Sequence, residues 1–250
     1  MVERIKADFS TLTLALLPVA IVINIVVGHL VQDILKLPVY LDSIGTVLVA
    51  VLAGPLAGAL TGAISNLIWS IVFSNPTIAP FSITAFAIGL VAGLWARLGW
   101  FRRELPLAQG LAAVVIVGLV LIAIQAVNSG PVGAGLAVGL TLLVLILTVL
   151  RVFPALVAVA GVLTGIVAAT VSAPISAFVF GGVTGSGTDL LVALFRATGA
   201  NILQAALGQG LVSDPFDKFV SFILVWLILR GLSRRYIARF PRASNVIGAE

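Results

Sequence analysis

YLDSIGTVLVAVLAGPLAGALTG, residues 40–62, decides how this chain is read. A carboxylate, Asp42, stands directly before some twenty apolar or small residues, and Gly54-Pro55 interrupts them halfway. Proline suits a first helical turn and disrupts a helix interior, so the stretch divides into a short helix over 43–53 and a longer one over 55–73. Asp42 is expected to cap the first, since a carboxylate satisfies free N–H groups and complements the positive end of the helix dipole. Gly54, Gly58 and Gly62 recur every four residues, with Asn66 next in the series, leaving one helix face almost bare backbone. Such a face packs closely against a neighbour, in this chain or in another; the spacing alone does not choose.

The rest of the chain is equally apolar. Of 250 residues, 61% are hydrophobic and 9% charged, with a mean hydropathy of +1.24, where a soluble domain carries about 25% charged residues. About 20 apolar residues cross the hydrocarbon core as a helix, and backbone groups there must be satisfied internally. The composition therefore predicts an all-α, polytopic integral membrane helix bundle. Ten-residue alternating strands, the mark of a barrel, are absent from the sequence. With no cysteine, disulfides, thiolate metal sites and a cysteine nucleophile are excluded. The net charge of +5 resides at the ends of apolar runs, where orientation in a bilayer explains it and nucleic acid is not expected as a partner.

Outward from the central stretch, apolar runs at 12–31, 81–98, 107–127, 132–150, 155–180 and 215–232 predict further membrane helices. The turn signal Asn128-Ser129-Gly130-Pro131 joins 107–127 to 132–150 as a hairpin. An amphipathic stretch is expected over 188–211. Residues 1–242 form one transmembrane domain with the hairpin 107–150 inserted, and 243–250 a cytoplasmic tail. If the N-terminus is cytoplasmic and the short helix 43–53 is a crossing, eleven of the fourteen basic residues fall inside, Arg4, Lys6, Arg102 and Arg103 among them. Lys36, Arg196 and Lys218 stay outside. Both termini are then cytoplasmic.

On that topology the outer end collects the chemistry: His29, Asp33, Tyr40, Asp42, Asp189, Asn201, Gln204, Gln209, Asp214 and Asp217. Asn66 and Trp69, with Ser65 and Ser70, bring amide, indole and hydroxyl groups to neighbouring helix faces. They serve either as interhelical hydrogen bonds with an interfacial tryptophan, or as contacts to a flat organic ligand. In Ser213-Asp214-Pro215-Phe216-Asp217-Lys218, Asp214 has an N-cap position, Asp217 completes a capping-box-like arrangement, and Asp214 with Lys218 is a favourable i,i+4 pair. Asp217 and Lys218 are candidates to meet a substrate as well. The glycine-rich run 181–189 lacks the lysine of a phosphate loop and follows a span rather than a strand, so it reads as a turn ending in Asp189. The single histidine, His29, has no partner of ligating type in sequence, and no metal or other cofactor is expected.

Three segments, residues 37–69, 172–191 and 210–230, with their D-x-x-G-T, G-P-x-x-G and D-P-x-D-K patterns, resemble the substrate-specific S components of energy-coupling factor (ECF) transporters. The resemblance covers most of the chain. It implies a six-helix core in a bacterial cell membrane that captures a vitamin, a vitamin precursor or a related small organic solute from outside. It further implies docking to a membrane coupling protein and two cytoplasmic ATPases. Carried over by position, the first outer loop is 36–42 and the start of the last helix 214–218. The expected substrate-binding residues are Tyr40, Asp42, Asn66, Trp69, Asp189, Asp217 and Lys218. Ala15 and Ala20 stand five apart with Pro18 between them, where that family often has Ala-x-x-x-Ala for the coupling protein. This departure motivates an alternative, a ligand-sensing or scaffolding membrane protein without transport. No catalytic residue is expected: HExxH, paired glutamates with histidines, and G-x-S-x-G in a suitable context are all missing.

Overall fold

The computed structural model describes residues 8–102 and 106–247, and every regular element among them is helical. Arg4, Lys6 and Arg103, three of the basic residues in the orientation argument, lie outside the described residues, as do the last three residues of the tail. The principal helices are α1 (Thr11–His29), α2 (Ile44–Ala53), α3 (Pro55–Val72), α4 (Ser82–Arg97), α5 (Leu107–Val149), α6 (Ala155–Phe180), α7 (Asp189–Ala197) and α8 (Ile202–Gly231). Two short turns of helix follow, α9 (Arg234–Ile237) and α10 (Ser244–Ile247). Five helical stretches are long and apolar enough to cross a membrane: Thr11–Ile34, Pro55–Val72, Ala79–Arg97, Leu107–Val149 and Ala155–Phe180. Among the described residues two compact units are distinguished, one of 8–29, 41–102 and 220–247, the other of 30–40 and 106–219.

In the first unit, the break at Gly54-Pro55 makes a tight helical hairpin. Gly54 has φ +112°, a conformation closed to side-chain-bearing residues at ordinary cost, and serves as the end of α2 and the start of α3. A Cβ on Gly58 would strike Ala50, and one on Gly62 would lie 3.1 Å from Thr46, so the two helices run back along each other. On its other side α3 meets α4 in antiparallel register: Gly89 against Gly58, Gly93 against Pro55, Gly62 against Ala85. The tandem GxxxG face is thus used within this chain, where backbone-to-backbone approach replaces the side-chain interdigitation of soluble helices. All ten residues of α2 are buried.

A ten-residue helix is about 15 Å long, half the hydrocarbon thickness, so its first turn lies well inside the unit. The buried Asn24 of α1 supplies that turn with partners. Its Oδ1 accepts from the N–H groups of Gly45 (2.7 Å) and Thr46 (3.3 Å), and its Nδ2 donates to Thr46 Oγ1 (2.8 Å) and Ser65 Oγ (3.0 Å). The capping expected of Asp42 at these N–H groups is therefore done from another helix. At the opposite end of α2, the chain's C-terminal segment takes the last carbonyls: Arg242 N–H donates to Leu52 O and Asn245 Nδ2 to Val51 O, each across 2.9 Å.

In the second unit, α5 reverses at Gly130, which has φ +64° and ψ −155° and precedes Pro131. Straight, 43 residues would reach about 65 Å, twice a bilayer core. Instead Gly118 packs on Thr141 and Gly110 faces Thr148, the pairing of an antiparallel helical hairpin. Gln125 is fully buried in the hairpin and donates to Gly208 O (2.9 Å) of α8. Gly161 and Gly165 of α6 lie against the backbone of α8 at Lys218 and Pro215.

One difference from the sequence expectation shapes everything below. The amphipathic stretch ends at Ala197, and α8 starts at Ile202, not at Pro215. Asn201 and Gln204 form a reciprocal box, Gln204 N to Asn201 Oδ1 (2.9 Å) and Asn201 N to Gln204 Oε1 (3.0 Å), which caps the helix thirteen residues before the proline. Pro215 is carried inside the helix. Asp217 and Lys218 consequently lie near the middle of a 30-residue helix rather than at its start.

Candidate functional site

The second unit gathers four of the seven sequence-predicted residues around Tyr40. Lys218 Nζ donates to Asp217 Oδ2 in an ion pair whose side chains are 2% and 0% exposed. Charges withdrawn from water this far are sustained only when paired and hydrogen-bonded. The pairing extends to Tyr40, whose backbone N–H donates to Asp217 Oδ1 (3.3 Å) and whose ring centroid lies 6.0 Å from Lys218 Nζ.

Every polar part of Tyr40 is engaged. Its carbonyl accepts from Gln32 Nε2 (3.2 Å), and its hydroxyl donates to Thr188 Oγ1 (3.2 Å) while accepting from Gln209 Nε2 (3.1 Å). Gln209 also donates to Ser213 Oγ, one turn further along α8. The result is a buried polar network joining residues 32, 40, 188, 209, 213, 217 and 218. Networks of this kind are strong when complete, because each bond polarises the next in a low dielectric.

Asp189 joins this network at its edge, through the hydroxyls of Thr188, Ser186 (2.6 Å from Thr188 Oγ1) and Thr184 (3.1 Å from Ser186 Oγ). Its carboxylate accepts from Thr184 N–H (3.0 Å), Thr184 Oγ1 (3.0 Å) and Gly185 N–H (2.8 Å), which folds the glycine-rich run into a turn. The backbone N–H groups that a phosphate would need there are occupied by the chain's own carboxylate. Arg196 goes to Ala200 O (2.8 Å) at the end of α7. Lys36 Nζ donates to Gly185 O (2.8 Å), and a Cβ on Gly187 would strike the Lys36 carbonyl, so the 183–188 turn lies directly on the 36–37 backbone.

The other three predicted residues belong to the first unit. Asp42 and Trp69 meet at Gly28: a Cβ there would lie 2.5 Å from the Trp69 ring and 2.9 Å from Asp42 Cβ. Trp69 is 1% exposed, and its indole Nε1–H has no hydrogen-bond partner among the described residues. Buried indole N–H groups nearly always find an acceptor, so this one stands out. His29 stacks on Phe73 with centroids 4.0 Å apart and meets Trp69 edge-on at 6.5 Å. Asn66 lies one turn before Trp69 and is 5% exposed. Ser43 Oγ, at the start of α2, is buried and likewise without a partner.

Sequence reasoning missed Asn24, Gln32, Thr188 and Ser213 as members of these arrangements. Asn24 carried a signal of its own, an amide in the middle of an apolar span, where a polar side chain demands a partner. The others are unremarkable polar residues until the fold brings them to Tyr40. Among the described residues, no three His, Asp or Glu side chains converge as metal ligands would.

The fold and composition define a helical chain of multi-pass membrane type, with two buried polar arrangements inside it. No protein-family model, curated protein or solved structure matches it.

Proposed function

We propose that this chain is the substrate-binding membrane subunit of an ATP-driven, ECF-type importer in a bacterial cell membrane. It takes up a vitamin, a precursor or a similar small organic solute from the outside. The observation that carries the reading is the buried Asp217–Lys218 pair wired to Tyr40 in the middle of α8. Ionisable side chains buried in membrane proteins are costly, and substrate pathways are among the functions they mark. Within the second unit Tyr40, Asp189, Asp217 and Lys218 supply the contacts, and Asp42, Asn66 and Trp69 are the candidate contacts of the first unit. The free indole N–H of Trp69 gives a neutral donor, and its ring a surface on which a flat ligand stacks. In this reading the hairpin α5 is an addition to a six-helix core, both termini are cytoplasmic, and a membrane coupling protein with two ATPases supplies the energy. No catalysis is assigned to the chain.

One observation favours the alternative, a sensing or scaffolding protein without transport. Ala20 is fully buried against Gly45 of α2, so it is spent inside the unit and unavailable to a coupling protein. Native mass spectrometry of the protein purified in mild detergent separates the readings. A retained vitamin-like compound, with copurifying ATPases from the native membrane, supports uptake. A protein that stays empty across a panel of vitamins and precursors, and brings down no ATPase, removes it.

A further inference from the structure

One end of the first unit carries most of the charge of its described residues, and that charge is positive in excess. There α1 and α3 begin, α4 ends at Arg97, and the C-terminal segment folds back from α8. Arg97 and Arg242 are committed to Asp8: Arg242 holds its Oδ1 at 2.6 and 2.7 Å, and Arg97 Nη2 lies 3.9 Å from Oδ2. Arg230, Arg234, Arg235 and Arg239 are exposed, and no acidic residue occurs between Asp217 and Glu250. Among the described residues, none of these four has an ion-pair partner.

The arginines are held in place. Ser233 Oγ accepts from Tyr236 N–H (3.3 Å) at the start of α9, Ile237 and Phe240 are 2% and 4% exposed, and Asn245 is bonded to Val51 O. The segment is therefore pinned on both sides of the exposed cations. Next to them in α8, Leu227 is 52% and Ile228 39% exposed, and the Arg230 guanidinium lies 4.9 Å above the Trp226 ring. Apolar side chains, an aromatic of the kind that seats at a membrane interface, and a cluster of cations follow one another over about two turns and the short segment after them.

We propose that the segment from Leu227 to Arg239 is a docking surface for anionic phospholipids. The phosphate is held by Arg230, Arg234, Arg235 and Arg239, and the upper acyl chain lies on Leu227 and Ile228. Arginine suits this role because its planar fork engages phosphate oxygens two at a time. A nucleic acid or an acidic protein would use the cations alone and leave the adjoining apolar side chains uncovered. Basic clusters next to a membrane helix draw anionic lipid with about fivefold preference per cation near the surface.

The test uses the full chain in mild detergent, exposed to equal amounts of phosphatidylglycerol and phosphatidylcholine with the same acyl chains, and reads bound lipid by native mass spectrometry. Roughly tenfold or greater retention of phosphatidylglycerol is expected, falling with added salt. The R234Q/R235Q/R239Q variant should lose the preference, while R151Q/R196Q, with cations removed elsewhere, should keep it. Equal retention of the two lipids by the unaltered protein overturns the proposal, as does a triple variant that still prefers phosphatidylglycerol. Displacement of phosphatidylglycerol by millimolar inorganic phosphate also overturns it, by showing an ion site in place of a lipid surface. Should the triple variant fail to fold, the single R235Q and R239Q proteins are compared, each expected to lose part of the preference.

Discussion

The backbone N–H of Tyr40 donates to Oδ1 of Asp217 across 3.3 Å, joining residues 177 positions apart. A loop before α2 is thereby tied to the middle of α8 through the same carboxylate that neutralises Lys218. This bond places Tyr40, and with it Thr188 and Gln209, around one buried ion pair.

That arrangement makes the Asp217–Lys218 pair asymmetric toward mutation. Asp217→Asn removes the carboxylate hydrogen-bonded to a buried ammonium and should cost about 3–5 kcal/mol. The double change Asp217→Asn, Lys218→Gln removes both charges and should recover most of that loss. Thermal unfolding in detergent checks it; equal damage from the single and double variants would show that the charges are not coupled. Loss of ligand in the double variant, with the fold retained, would then belong to recognition and not to stability.

Asn24 satisfies two helix N–H groups and makes two side-chain bonds from a fully buried position. Asn24→Leu, close in size, should lower stability by about 2–4 kcal/mol, because the N–H groups of Gly45 and Thr46 lose their acceptor in an apolar interior. Hydrogen exchange at those two amides should rise well before exchange in α3 does. Unchanged protection at Gly45 and Thr46 would remove Asn24 from this role.

Asp8 is 4% exposed at its side chain, with Arg242 as its close partner. Arg242→Ala should therefore leave the buried carboxylate to Arg97, 3.9 Å away, and release the segment that seals the end of α2, at a cost of about 3 kcal/mol. Asp8→Asn, Arg242→Gln together should be milder than Arg242→Ala alone. Limited proteolysis between Gly231 and Asn245 reads the release directly.

Trp69 offers a separate test of ligand contact. Trp69→Phe keeps an aromatic ring but removes the indole N–H, which has no acceptor among the described residues. The fold should change little, while affinity for a ligand that accepts this hydrogen bond should fall about tenfold. Gly28→Val pushes on both Trp69 and Asp42 and should weaken the same ligand further. Full affinity in both variants would take Trp69 out of the site.

The sequence by itself determined what local covalent chemistry and composition can decide. Gly54-Pro55 breaks a helix because φ +112° there needs glycine and the next residue has no N–H to offer. Asn128 to Pro131 marks the reversal of α5 for like reasons, and the density of apolar residues over six long runs determines the helical membrane class. Tertiary structure alone decided where the polar residues meet. A proline after an aspartate reads equally well as a helix start or as an interior proline, and the choice rested on the Asn201–Gln204 box and on Gly165 lying against the Pro215 backbone. Once α8 runs through, Asp217 and Lys218 move from an expected membrane edge to a buried mid-helix pair. The partners that sustain them, Tyr40 above all, lie far away in sequence, and only packing brings them within hydrogen-bond distance. The cap of α2 follows the same logic, since a buried N–H donates to whichever oxygen the fold delivers, and for Gly45 and Thr46 that oxygen belongs to Asn24, some twenty residues away in sequence.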